Sequence, residues 1–246
     1  MRFHDPISAF TAAVLVLLSG AARAQSIPGA VLAKQEPHHH LAYEDATLRV
    51  LRVRVPAHDT TLLHEHDPDY FWIALGASTV VNAKLGAADA TISSRDLSVH
   101  YTPGNFAHVA RNPGDTPFDN ITVELLEPQT NVRNRCEHAI GDKPLDCPAT
   151  GESAAFFTGG AEHPAFATDQ IRVSLVTIAP GQSLQSSTVA KPAWVIALDT
   201  ASAQHDLVTT GVAQWVGGAL RSRVGQKWTV TNRGHAPIHV VTVIKP

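Results

Sequence analysis

The feature that most limits what this chain can fold into is a faint repeat of itself. Sliding the sequence by 123 residues lays "HLAYEDATLRVLRVRV", from His40, over "HPAFATDQIRVSLVTI", from His163. Without a gap, "YFWIAL" (Tyr70 to Leu75) then falls on "AWVIAL" (Ala193 to Leu198). Further on the offset becomes 120, and "HVARNPGDTPFDNITV", from His108, covers "WTVTNRGHAPIHVVTV", from Trp228. Two long blocks at nearly constant offset, with one short deletion between them, indicate two copies of one fold. Within each copy Val, Ile, Thr and Leu alternate with polar residues, and turns recur at "NPGD", "APGQ", "TPGN" and "NRGH". No stretch sustains a helical period. The expected class is all-β, either sandwich or barrel.

Composition narrows the partners. Hydrophobic residues make up 44% of the chain and charged ones 17%, ordinary for a chain that buries a core. The net charge is -3 and Lys and Arg are scattered, so nothing points to nucleic acid or an anionic membrane. Ile7 to Gly20, "ISAFTAAVLVLLSG", is an uncharged apolar run followed by the small-x-small signal Ala22-Arg23-Ala24. The run is shorter than the roughly 20 residues a membrane span needs. A signal peptide over residues 1–24 is therefore expected, leaving Gln25 first in a soluble, periplasmic or secreted protein. In such an oxidising compartment Cys136 and Cys147, in "RCEHAIGDKPLDC", are expected to close a small disulfide loop.

The chemistry sits in "LLHEHDPDYFWIALG". In a strand, alternate side chains share a face, so His64 and His66 point together and Glu65 points away. Neutral imidazole is the commonest metal ligand near pH 7. His108, in a strand pattern just after a Pro-Gly turn, is the best third candidate. No Ser-His-Asp order, phosphate loop or usefully spaced carboxylate pair stands out.

These residues resemble the cupin superfamily. Its first motif reads Gly, five residues, His-x-His, three or four residues, Glu, six residues, Gly. Here His58 takes the first Gly place, and His64, His66 and Gly76 fit. The second motif reads Pro-x-Gly, two residues, His, three residues, Asn; here Pro103-Gly104 approximates the turn, and His108 with Asn112 fit the His-x-x-x-Asn spacing. The resemblance covers each repeat. It implies a bicupin: two tandem double-stranded β-helix (jelly-roll) barrels, each able to hold a metal in its mouth, and pairing into a homodimer by family analogy. The implied organisation is a signal peptide (1–24), an N-terminal extension (25–40), cupin domain 1 (41–128), a linker (129–153) and cupin domain 2 (154–246).

The departure from the motif is its glutamate. Counting from His66 its place falls on Tyr70; counting back from Gly76 it falls on Asp69. Asp69 is the candidate fourth ligand, Tyr70 a poor ligand unless ionised, and a three-histidine centre with water is the third option. In the second copy His64, His66, Tyr70 and His108 become Ser187, Val189, Ala193 and Trp228, so that barrel is expected to hold no metal, with Trp228 filling its void. His40 aligns with His163 and is read as structural. His38 and His39 are read as exposed, and His58, His100 and His235 as solvated turn or strand-end residues. If Tyr70 holds the glutamate place, Tyr70, Trp72 and Ala74 fall on the metal side and Phe106 shares the face of His108. Tyr70, Trp72 and Phe106 are then expected to line a largely aromatic pocket, with ordinary barrel core the alternative for Trp72 and Phe106.

The function so implied is an exported metal-dependent enzyme acting on a small molecule, dioxygenase-like or another oxidoreductase, using one divalent Fe, Mn, Cu, Ni or Zn ion. The alternatives are a non-catalytic cupin binding metal or a small ligand, and a structural or assembly module. Fold alone does not choose among them.

Overall fold

Strands with apolar residues on both faces must be covered twice, and the way this chain covers them positions everything else. The computed structural model describes residues 27–133, 157–186, 192–198, 206–210, 215–216, 218–221 and 227–245. Apart from one 3-10 turn over Ala33–Gln35, the regular structure is strand. The first copy holds β1 (Val31–Leu32), β2 (His39–Glu44), β3 (Leu48–Val55), β4 (His64–His66), β5 (Tyr70–Ala74), β6 (Ser78–Lys84), β7 (Ala90–Ser94), β8 (Val99–Thr102), β9 (Phe106–Arg111) and β10 (Phe118–Leu125). These form two five-stranded sheets, ordered β1-β4-β9-β6-β7 and β2-β3-β10-β5-β8. The second copy holds β11 (Phe157–Thr158), β12 (Ala161–Ala167), β13 (Arg172–Ile178), β14 (Ser183–Ser186), β15 (Ala193–Ala197), β16 (Leu207–Thr210), β17 (Trp215–Val216), β18 (Ala219–Arg221), β19 (Thr229–Asn232) and β20 (Ile238–Ile244). Its sheets run β11-β14-β19-β16 and β12-β13-β20-β15-β18-β17.

The repeat is reproduced in register. Val55 pairs with Phe118 in the first copy and Ile178 with Ile238 in the second; Tyr70 pairs with Glu124, and Ala193 with Ile244. The turn asparagines match as well. The Asn112 side-chain amide donates to the carbonyls of Val55, Pro56 and Thr116, while its oxygen accepts the Gly114 N–H at 3.0 Å. Asn232 does the same with Ile178, Ala236 and Gly234. This residue is a turn clamp in both halves. His58, where the family motif has glycine, has φ 59, a left-handed conformation that glycine adopts freely and other residues seldom do.

Period-two alternation sorts the side chains. Along β3, β5 and β10 the inward residues, among them Leu51, Val53, Tyr70, Trp72 and Phe118, form the first barrel's core. The outward residues, among them Val50, Phe71, Ile73, Ile121 and Val123, form one continuous cluster with Phe166, Val173, Trp194, Ile196, Val241 and Val243 of the second copy. The two large sheets thus cover each other. Phe71 and Tyr101 meet the Phe166 ring edge-on at 5.3 and 5.1 Å, and the fully buried Trp194 donates its indole N–H to Asp45 at 2.9 Å. The second barrel's interior is built mainly on Val176, Ile178, Val195, Trp228, Val230 and Val240, with the buried Ser174 and Thr242 on the same strand faces. The expected signal peptide and both cysteines lie outside the described residues.

Candidate metal centre

Strand pairing builds the site. β4 runs antiparallel to β9 with His64 opposite His108 and His66 opposite Phe106. Alternation then sends His64 and His66 into the barrel, where His108 joins them from the neighbouring strand. The ring centroids of His64 and His108 lie 4.3 Å apart, those of His64 and His66 5.2 Å, and those of His66 and His108 5.4 Å. All three line one cavity.

A fourth imidazole is present that the sequence reading placed at the surface. His39 opens β2, is buried, and its ring sits 4.6 Å from His64 and 6.1 Å from His66. Donor atoms of His39, His64 and His66 lie within 4.8 Å of one another, so these three could hold one ion. Its burial has a local cause. The buried Glu36 carboxylate accepts His39 Nδ1–H at 2.6 Å, the His38 N–H at 2.8 Å and the Leu62 N–H at 3.1 Å. The segment is also tied down by β1, which pairs in parallel with β4, Val31 opposite His64. His40 is exposed, and His38 partly so.

Every ring in the cluster is held through Nδ1 by an oxygen. His64 Nδ1 lies 2.9 Å from the Leu62 carbonyl, His66 Nδ1 3.0 Å from Glu124 Oε1, and His108 Nδ1 2.8 Å from Asn82 Oδ1. Carbonyl and carboxylate oxygens only accept, so each Nδ1 carries the hydrogen and each Nε2 keeps its lone pair in the neutral ring. The Nε2 atoms of His64 and His108 are buried with no hydrogen-bond partner. A buried polar atom without a partner costs about 1–3 kcal/mol. Two such lone pairs, on rings whose centroids lie 4.3 Å apart, suit a cation, while the donor atoms that all lie within 4.8 Å of one another are those of His39, His64 and His66.

The electrostatics agree. Burial, followed by the nearby His39 and His66 rings, pushes the His64 pKa down to about 3. Burial and then His64 hold His108 well below the ordinary histidine value, and burial outweighs the Glu36 hydrogen bond to hold His39 below it. These three rings are neutral at pH 7, the form a metal ion requires. Burial raises the Glu124 carboxyl, but the His66 hydrogen bond and the Arg49 charge outweigh it and leave a carboxylate more acidic than usual. Arg49 bridges Glu124 and Glu44.

The other candidates separate. Asp69 makes different contacts: one oxygen accepts the Gly104 N–H at 2.9 Å and the other the Tyr101 hydroxyl. It ties the start of β5 to the residues just after β8 instead of lining the histidine cavity, because residue 69 lies on the opposite face from Tyr70. Tyr70 is buried with its ring stacked 4.2 Å above His66, and its hydroxyl hydrogen-bonds Thr102. Burial drives its pKa up, so the phenol stays protonated. Trp72 and Phe106 both join the core around the site, Phe106 packing 5.3 Å from His108, and Trp72 stacking 4.1 Å on His100. His100 is a correction: it is buried in β8, bonded to Ser98 at 2.8 Å, with burial lowering its pKa to about 4. Glu65 faces away from the histidines, as alternation requires, yet is buried and accepts the Ile27 N–H at 2.7 Å. His58 and His235 are exposed. In the second copy Ala193 and Trp228 are buried among apolar residues, while Ser187 and Val189 lie outside the described residues.

The cavity encloses about 80 Å³ between Tyr70, Trp72, Val80, Ile92 and Phe118 on its apolar side and the histidines, Asn82, Asn120, Thr102 and Thr122 on its polar side. That is room for an ion with a few waters or a ligand of few heavy atoms. Glu36, Glu124 and Arg49 were missed by sequence reasoning. Glu124 had a signal: it continues the inward polar series Asn120, Thr122, Glu124 along a strand whose intervening residues Ile121 and Val123 are apolar. Glu36 and His39 had only their spacing of three residues.

No protein-family model matches the chain, and no curated protein matches it significantly in sequence. Similarity in three dimensions reaches further. The chain aligns with AerE from Microcystis aeruginosa at a TM-score of 0.57 and 10% identity, over 85% of this chain and 93% of that one. It aligns with an oxalate decarboxylase, solved for a structural element that modulates proton-coupled electron transfer, at 0.52 and 13%, over 82% and 69%. A Bacillus subtilis oxalate decarboxylase variant gives 0.50 and 12%, over 82% and 69%. At these identities the likeness is one of fold.

Proposed function

This chain has the tandem-barrel fold of the cupin superfamily, and on that premise we propose that it is an exported, metal-dependent enzyme acting on a small molecule. His64, His66 and His108 hold one divalent transition-metal ion through Nε2 in the first barrel. The observation that carries the reading is the pair of buried, unpartnered Nε2 atoms on His64 and His108, beside rings whose Nδ1 positions are already taken. When bound, such an ion supplies Lewis acidity toward a ligand oxygen or, with a redox metal, a site for dioxygen chemistry.

The chain's own residues do the remaining work. Glu124 fixes the His66 tautomer and strengthens its donor nitrogen, and Asn82 orients His108. Tyr70, Trp72, Val80 and Ile92 keep bulk water from the polar wall. Among the described residues no Lys or Arg lines the cavity, so an anionic substrate group would find its main counter-charge at the ion.

Loading the full-length protein with Fe, Mn, Ni, Cu or Zn and measuring bound metal tests this. One ion per chain, lost in His108→Ala, supports it; no stoichiometric ion after loading overturns it. The cavity of about 80 Å³ favours a second reading, a barrel that holds metal without turnover. Tight stoichiometric binding with no oxidation or hydrolysis of a panel of small oxygenated compounds would select that reading.

A further inference from the structure

We infer that His39 is a ligand of the same ion, supplying the further donor that the family motif takes from its glutamate, and that bound metal thereby fastens the N-terminal segment to the barrel. This rests on the metal-centre reading and extends it to a residue outside both family motifs. The two residues that could have supplied the missing donor are engaged elsewhere: Asp69 by Tyr101 and Gly104, and Tyr70 by its stack on His66. The side chain that does bring a nitrogen to within 4.8 Å of the His64 and His66 donors is His39.

The support around His39 has the form expected of a ligand. Glu36 accepts its Nδ1–H, which leaves Nε2 as the lone-pair nitrogen, and a carboxylate on that hydrogen strengthens the donor. Glu124 does the same for His66. The two carboxylate–imidazole pairs reach the cluster from different elements, and each carboxylate is itself anchored, Glu36 by two backbone N–H groups and Glu124 by Arg49.

Placement then gives the consequence. β2, with His39, belongs to one sheet of the barrel, and β4 and β9, with His64, His66 and His108, belong to the other. An ion shared among them ties the two sheets at the open end. Without it, the segment from Val31 to Gln35 is held by the two-residue strand β1, the buried Ala33 and the Glu36 contacts, while β2 beyond His39 is paired with β3. Seating of residues 31–39 should therefore depend on metal.

The test uses the full-length protein, freed of metal and titrated with Co²⁺, whose visible absorption reports coordination, and with Zn²⁺ while hydrogen exchange is followed. Wild type should bind one ion and slow exchange in β1 and at the start of β2 as well as in β4 and β9. Glu36→Gln, which keeps the side chain's shape but removes the carboxylate, should weaken binding roughly 10–100-fold, as loss of an outer partner does. His39→Ala should weaken it at least as much, alter the Co²⁺ spectrum, and abolish the metal-dependent slowing in β1 and at the start of β2 while leaving that in β4 and β9. Wild-type affinity and spectrum in both variants would overturn the role of His39 while leaving the metal centre standing. No ion bound by wild type would overturn both.

Discussion

Acid should unfold the metal-free protein well before it protonates typical carboxylates. An unfolded-state imidazole takes up its proton near pH 6.5. The buried His64 ring takes its proton only at about 3 and His100 only at about 4. Between those limits the unfolded chain binds protons that the folded chain refuses, so stability is complete above 6.5 and falls as the pH drops. Each refused proton removes about 1.4 kcal/mol per pH unit. His64 alone then removes on the order of 4–5 kcal/mol by pH 3, and His100 about 3 kcal/mol by pH 4. His108 and His39, also held below the ordinary value, steepen the fall. Against a total stability of about 5–15 kcal/mol, this places acid unfolding between roughly pH 4 and 5. Urea melts of metal-free protein at pH 7, 6, 5 and 4.5 measure the slope. Adding Zn²⁺ at a thousand times its Kd should add about 4 kcal/mol at pH 7 and move the acid midpoint down. A stability that stays flat from pH 7 to 4.5 would show that these rings are not buried neutral, and the electrostatic argument for the site would fall with it.

Three further outcomes follow from particular contacts. Glu124→Gln should lower metal affinity roughly 10–100-fold, read by competition with a chelating dye, because His66 loses its charged orienting partner. Tyr70→Phe should leave metal stoichiometry and affinity unchanged by the same assay, since its hydroxyl serves Thr102 and its ring packs on His66. Trp194→Ala should destabilise the protein by about 3–5 kcal/mol in urea melts, opening a void between the barrels, while the metal still binds. In that variant Asp45 keeps the N–H groups of Thr47 and Leu48 and the Tyr43 hydroxyl, so no orphaned carboxylate adds to the cost.

Much of the architecture could be read from the chain because β-sheets store register in sequence. The offset of 123 that aligns Tyr70 with Ala193, and the offset of 120 that aligns Phe118 with Ile238, carry the pairings of one copy onto those of the other: Tyr70–Glu124 onto Ala193–Ile244, and Val55–Phe118 onto Ile178–Ile238. "YFWIAL" and "AWVIAL" are apolar on both faces because one face fills a barrel and the other meets the opposite copy. His64, His66 and His108 were legible through alternation and motif spacing. His39 was not. In "HHH" the alternation is silent about which ring goes inward, and alignment with His163 drew attention to His40. What decides it is the Glu36 carboxylate, a tertiary contact that also holds Leu62, and no periodicity carries that information. His100 was misjudged for a related reason: its stack on Trp72 depends on β5 lying beside β8.

The central claim, that imidazoles from separate strands of the first barrel converge on one ion, is tested most directly by X-ray absorption on the zinc-loaded full-length protein. The account predicts a shell of imidazole nitrogens at about 2.0–2.1 Å that disappears in the His64→Ala, His108→Ala double variant. A shell of oxygen or sulfur ligands, or one unchanged in that variant, would contradict it.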